Sequence, residues 1–164
     1  MSVDPTETRR RFRAAVEAGD NAAAVATFAP DIVLRSPIIV GQFEGRQAVG
    51  DLMAAVIETF EDLHYTAEAA ADDGTQILAF SARVRGREID AVDLVRVNDE
   101  GLISEFVVHI RPMAGLAAVA AVLGPRIARG PVSRALVRLF AGPLAVLLAL
   151  VDPLVPRLVR TRAG

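Results

Sequence analysis

Asp93 stands in the run Ala91-Val92-Asp93-Leu94-Val95-Arg96-Val97, an acid with apolar neighbours on both sides. Side chains alternate along an extended segment, so Ala91, Asp93, Val95 and Val97 share one face, and the carboxyl lies on the apolar one. Desolvation disfavours a carboxylate, so such a group either finds a polar partner or stays protonated. A protonated carboxyl can donate a hydrogen bond to a ligand carbonyl or phenol, and can donate its proton to an oxygen on which charge develops. In the alternative, Asp93 bonds Ser36, Ser81 or a backbone N–H and only fixes the sheet. His64, Tyr65 or a bound water are the candidate partner bases, and nothing in the spacing brings either side chain to Asp93.

The chemistry open to the rest of the chain is narrow. At 164 residues, 52% hydrophobic and 23% charged, it has the length for one domain with a core plus an appendage. There is no cysteine and there are two histidines, His64 and His109. No disulfide, no metal and no cofactor are therefore expected. The first residues lack the apolar stretch of a secretory signal, which points to the cytoplasm. The run Arg9-Arg10-Arg11 sits on an expected helix and reads as a solvated face, not as a nucleic-acid site. His109 alternates with Glu105, Val107 and Arg111, which puts it on the outer sheet face, opposite Phe106, Val108 and Ile110. Arg83, Arg85 and Arg87 near a hairpin read as edge protection, with anion contact as the alternative.

The elements that must position Asp93 are legible in order. Asp4-Pro5-Thr6-Glu7 predicts a helix start with Asp4 as cap, and Phe12, Ala15 and Val16 form its apolar stripe. Asp20 predicts a second short helix through Phe28, ended by Pro30. Residues 31 to 40 read as a β segment interrupted at Pro37. Val49, Leu52, Met53, Val56, Ile57 and Phe60 recur at helical spacing. From His64 the period becomes two, and segments 64 to 71, 75 to 85, 88 to 97 and 102 to 111 are divided by turn signals into an antiparallel meander. Helices followed by hairpins give an α+β class, with the helices on one face of the sheet and a concavity beneath them.

Four passages carry a resemblance: Ala18-Gly19-Asp20 before Thr27-Phe28-Ala29-Pro30-Asp31; Ser36-Pro37; Phe43-Glu44-Gly45-Arg46; and Val92 to Val97 leading to Gly101-Leu102-Ile103. Over roughly residues 5 to 115 the chain resembles the cone-shaped fold of nuclear transport factor two. It is more closely similar to the SnoaL-like branch, which includes polyketide cyclases and is related to ketosteroid isomerases and limonene-epoxide hydrolases. The resemblance implies a cone-shaped, curved antiparallel sheet packed against N-terminal helices, a homodimer paired through the outer sheet face, and Asp93 as the inward acid. The other positions depart from the related enzymes. Ser36 stands where an isomerase would carry its catalytic aspartate, and Phe12 where it would carry an oxyanion-hole tyrosine. Ala91 and Val108 replace the arginine and last-strand acid of the hydrolase and cyclase schemes. The expected site is therefore Asp93 with Phe12, Ser36, Phe106, Val108 and Ile110 lining an apolar pocket. It would take a lipophilic carbonyl or phenolic molecule, either as an isomerase or cyclase or as a binding module without catalysis.

Charge divides the chain in two. Residues 1 to 112 hold 11 arginines against 19 acids, whereas residues 113 to 164 hold seven arginines against one acid, Asp152. The expected division is a pocket domain over 1 to 115 and a hydrophobic, arginine-rich helical extension over 116 to 164. Gly124-Pro125, Gly130-Pro131, Gly142-Pro143, Asp152-Pro153 and Pro156 should cut that extension into short pieces. Its longest uncharged run, Leu139 to Val151, is 13 residues, too short for the roughly 20 that span a bilayer. Three readings fit it: packing on the body or a partner subunit, peripheral contact with the inner membrane face through arginine-edged apolar pieces, or a tail that is disordered or binds another protein.

Overall fold

Asp4 opens the first helix: its carboxylate accepts from the Thr6 N–H at 2.9 Å, and Pro5 fills the first helical position, so that α1 runs Pro5–Glu17. The computed structural model describes residues 4–128 and, beyond them, residues 139, 142, 143, 146–148, 150 and 151. Asp20 caps α2 (Asn21–Val25) through a bond from the Ala23 N–H. That helix stops short of the expected Phe28, because Phe28 already begins strand β1 (Phe28–Arg35), and Pro30 lies inside the strand. The register of β1 on its neighbour slips between Phe28 and Val33, and Pro30 falls in this irregular stretch, where a missing N–H is tolerated. Strand β2 (Gln42–Glu44) and helix α3 (Arg46–Thr59) follow, with Val49, Leu52 and Met53 of α3 buried.

Four long strands complete the sheet: β3 (Glu61–Ala70), β4 (Gln76–Val84), β5 (Arg87–Val97) and β6 (Ile103–Arg111). The six strands form one curved, unclosed sheet in the order β2-β1-β6-β5-β4-β3. Four of the five pairings are antiparallel, and the fifth, β1 with β6, is parallel. Consecutive hairpins cannot make a parallel pair. It arises here because the chain leaves β1 through β2 and α3 and returns only after the whole meander. The turn from β4 to β5 is Arg85-Gly86, with φ of 52° and 71°. A tight hairpin turn wants this left-handed conformation at both positions. Glycine adopts it freely, and an arginine does so at about 1–2 kcal/mol.

Helices α1, α3 and α4 (Met113–Ile127) pack on the concave face. The core there joins Phe12, Val49, Leu52, Leu78, Phe80, Val95 and Phe106. Arg9 corrects the solvated reading of the Arg9-Arg10-Arg11 run. It is 9% exposed and bonds Glu68 at 2.8 Å, the Ala69 carbonyl at 3.0 Å and the Gln76 amide oxygen at 2.8 Å. Arg10 and Arg11 are exposed. Arg13 bonds the second oxygen of Glu68, so one carboxylate on β3 clamps two turns of α1 to the sheet. Both bonds hold the Glu68 carboxyl below its ordinary range, Arg13 contributing most.

The boundary expected at residue 115 falls inside α4, whose Ala114, Gly115, Ala117, Ala118, Val119 and Leu123 are buried against the body. At Gly115 a Cβ would lie 2.5 Å from Ile89 Cγ2 and 3.2 Å from the Glu88 carbonyl, so a larger residue would force Ile89 or the strand to shift. The helix also continues through Gly124-Pro125. Pro125 sits in its last turn, where losing one N–H costs a single helical bond. Of the pieces expected farther on, Leu136, Val137, Arg134, Arg138, Phe140, Arg157 and Arg160 lie outside the described residues. No helix among the described residues is long and apolar enough to cross a membrane.

Candidate functional site

Strand register sets the surroundings of Asp93. It pairs with Leu78 on β4 and Val108 on β6, so apolar side chains flank it in its own row. The residue is 3% exposed, and its Oδ1 has no hydrogen-bond partner among the described residues. Neither serine of the structural alternative bonds Asp93 among the described contacts: Ser81 donates to Asp90 at 3.0 Å, and Ser36 Oγ accepts from the Ile38 N–H at 3.4 Å. Burial alone pushes the Asp93 carboxyl well above the usual range. An acid buried without a cation or donor is held in its neutral form.

The carboxyl opens on a cavity closed by all three concave-face helices. Phe12 and Val16 come from α1, Leu52, Met53 and Val56 from α3, and Val119 and Leu123 from α4. Phe106, Val108 and Ile110 supply the β6 wall, and Ser36, Pro37 and Ile38 form an edge after β1. Phe12 meets Phe106 edge-on at 5.4 Å between ring centroids, which fixes the floor. The structure thus gathers Asp93, Phe12, Ser36, Phe106, Val108 and Ile110 around one space. Its volume is about 60 Å³, above the roughly 10–15 Å³ that a single water needs. A small apolar group fits, whereas a fused-ring ligand must move wall side chains or extend out past Ser36-Pro37-Ile38.

Tyr65 is the second ionisable group in this lining. It pairs with Phe80, which pairs with Ala91, so it stands two strands from Asp93 and one side-chain row along the sheet. The ring packs edge-on to Phe80 at 5.6 Å, and its hydroxyl bonds no described residue. Burial, then the negative charges of Asp93 when ionised and of Glu17, raise the phenol well above its ordinary value. Burial thus favours the neutral, O–H form of both groups. Glu17 accepts from the Tyr65 N–H at 2.9 Å, and the Arg13 guanidinium lies 5.9 Å from the ring centroid, so the α1 clamp also positions this side chain. The alternation Leu63, Tyr65 carries the signal for an inward tyrosine, but register slips in β3 on both sides of it obscure the pattern.

The histidines stay outside. His64 is exposed, with Nδ1 2.9 Å from the Asp62 carbonyl, and it does not line the cavity. His109 is exposed on the convex face in a shallow depression with Asp90, Val92 and Arg111. The lining therefore includes no histidine and no second carboxyl. Among the described residues no three His, Cys, Asp or Glu side chains converge to hold a metal ion.

Comparison with known proteins supports the fold. The model of the SnoaL-like domain matches residues 9–106. A crystal structure of a steroid delta-isomerase from Pseudomonas aeruginosa is similar over 77% of this chain and 93% of its own, at 32% identity and a TM-score of 0.72. An uncharacterized bacterial protein with a cystatin-like fold from Silicibacter pomeroyi is 25% identical over 77% of this chain and 87% of its own, with a TM-score of 0.69. The epoxide hydrolase/cyclase-like enzyme SalBIII, of pyran ring formation in salinomycin, shares the fold at 20% identity over 68% of this chain and 92% of its own, TM-score 0.57. No curated protein matches the chain.

Proposed function

The chain belongs to the SnoaL-like domain family, and from that premise we propose that it binds a lipophilic carbonyl or phenolic molecule in the Asp93 cavity and acts on it as an isomerase or cyclase. The observation that carries this reading is the buried Asp93 Oδ1 without a partner, in a cavity otherwise almost entirely apolar. A neutral carboxyl there donates to a ligand oxygen and protonates it as charge develops, in surroundings where water does not compete. One well-placed donor of this kind is worth about 3 kcal/mol in a transition state. Tyr65 offers a second donor from across the concavity, which suits a ligand oxygen that turns anionic. The chain would act as a homodimer in the cytoplasm.

The test is a titration with phenols and naphthols of graded acidity, followed by the absorbance change from phenol to phenolate. Affinity should rise with phenol acidity and be lost in Asp93→Leu, which has a similar size and no donor. Affinity that ignores phenol acidity, or an Asp93→Leu protein with unchanged affinity, would reject the donor role. One observation favours a second reading: the lining includes no histidine or second carboxyl to serve as a base. On that reading the protein binds and carries such a molecule without transforming it. Enones that bind but do not isomerise would select it.

A further inference from the structure

We propose that the protein docks on anionic phospholipid bilayers through a surface built from the exposed apolar residues beyond α4 together with the arginines of the β4–β5 hairpin. Residues 139, 142, 143, 146–148, 150 and 151 have helical backbone. Leu139, Val146, Leu147, Leu150 and Val151 are exposed at 63, 61, 58, 66 and 42%. All five are large and apolar, an exposed apolar stripe among the described residues of this segment. Water is a poor environment for such a stripe, and the stripe sits in an uncharged run with arginines before and after it in the sequence.

The second observation is independent and comes from the body. Arg85, Arg87, Ala118, Ala121, Gly142 and Val146 line one groove, so the hairpin, the outer side of α4 and the apolar stripe meet. Arg85 and Arg87 form no ion pair among the described residues, whereas Arg83, one turn away, is paired with Asp62. Arg85 also occupies a left-handed turn position that asparagine or glycine would fill without strain. Two guanidiniums without an ion pair among the described residues, sharing a groove with Val146 of the exposed apolar segment, match a phosphate layer over acyl chains: the apolar stripe enters the interface while the arginines hold headgroup phosphates. The excess of seven arginines over one acid from residue 113 onward has the same sign. α4 joins this surface to the cavity, since Val119 and Leu123 line the cavity and Ala118 and Ala121 line the groove.

The test is cosedimentation of the full chain with vesicles of phosphatidylcholine alone and of phosphatidylcholine mixed with phosphatidylglycerol, at low and high salt. Binding is expected to the mixed vesicles only and to fall as salt rises. Arg85→Gln and Arg87→Gln should each weaken it about fivefold, and Leu147→Asp with Leu150→Asp should abolish it. All four positions are at or near the surface, so an unchanged circular dichroism spectrum confirms the fold of each variant. Equal binding to both vesicle types, no binding, or binding unchanged by the substitutions would overturn the proposal. Sedimentation velocity adds a check: self-association lost in Leu147→Asp without vesicle binding would mean that a second copy covers the stripe, and would overturn it too.

Discussion

Replacing Asp93 with asparagine should flatten the pH dependence of stability in a defined window. The unfolded chain ionises this carboxyl near ~3.9, whereas the folded chain holds it protonated well above that, because burial strips it of water and gives Oδ1 no partner. Between the two values the folded state binds one proton more than the unfolded state. The contribution is thus fully present below the unfolded pKa and declines as pH rises, by about 1.4 kcal/mol per pH unit, until the folded pKa is passed. Asparagine has the size of the neutral acid and does not titrate, so it removes that slope. Glu68 acts with the opposite sign, its contribution being lost as pH falls through its depressed folded pKa, and it is common to both proteins. Urea unfolding of the two proteins at half-unit steps from about pH 4.5 upward measures the difference. The wild type minus variant free energy should fall with the stated slope. Parallel profiles would mean that Asp93 is ionised in the folded protein, and the reasoning about its burial would be refuted.

Tyr65→Phe should leave urea stability within about 0.5 kcal/mol, since the hydroxyl it removes has no protein partner, and should weaken naphthol binding about tenfold. Gly115→Ala should destabilise by about 1–3 kcal/mol, because the new Cβ meets Ile89 and the Glu88 carbonyl; thermal unfolding reads this directly. Arg9→Ala should cost about 3 kcal/mol by stranding part of the Glu68 and Gln76 network, whereas Arg10→Ala, on the exposed side of the same helix, should change stability by less than about 0.5 kcal/mol. Unfolding in urea separates the two.

What the sequence revealed and what it hid divide along the range of the interactions involved. Alternation around Asp93, the α3 stripe and the caps Asp4 and Asp20 are local signals, and the structure places each where local physics puts it. Arg9 was hidden because its partners lie 59 to 67 residues away in the chain, and three consecutive arginines look alike until the sheet arrives beside one of them. Pro30 inside β1 and the parallel β1–β6 pair were hidden because both depend on a register set by β6, at the other end of the meander. Continuation of α4 through Pro125 reflects packing on β5 and β6 outweighing one lost helical bond. Tyr65 is a candidate by residue type alone, and its inward place is carried only by alternation with Leu63, which the slips in β3 weaken.

The most direct test of Asp93 as a neutral donor is the infrared difference spectrum between the wild type and Asp93→Asn at neutral pH, recorded with and without a bound naphthol. A carbonyl stretch of a protonated carboxylic acid should appear in the wild type alone and shift to lower frequency when the naphthol binds. Carboxylate bands in its place, or an acid band indifferent to the ligand, would contradict a donor poised at the cavity and leave Asp93 a buried residue without a role in binding.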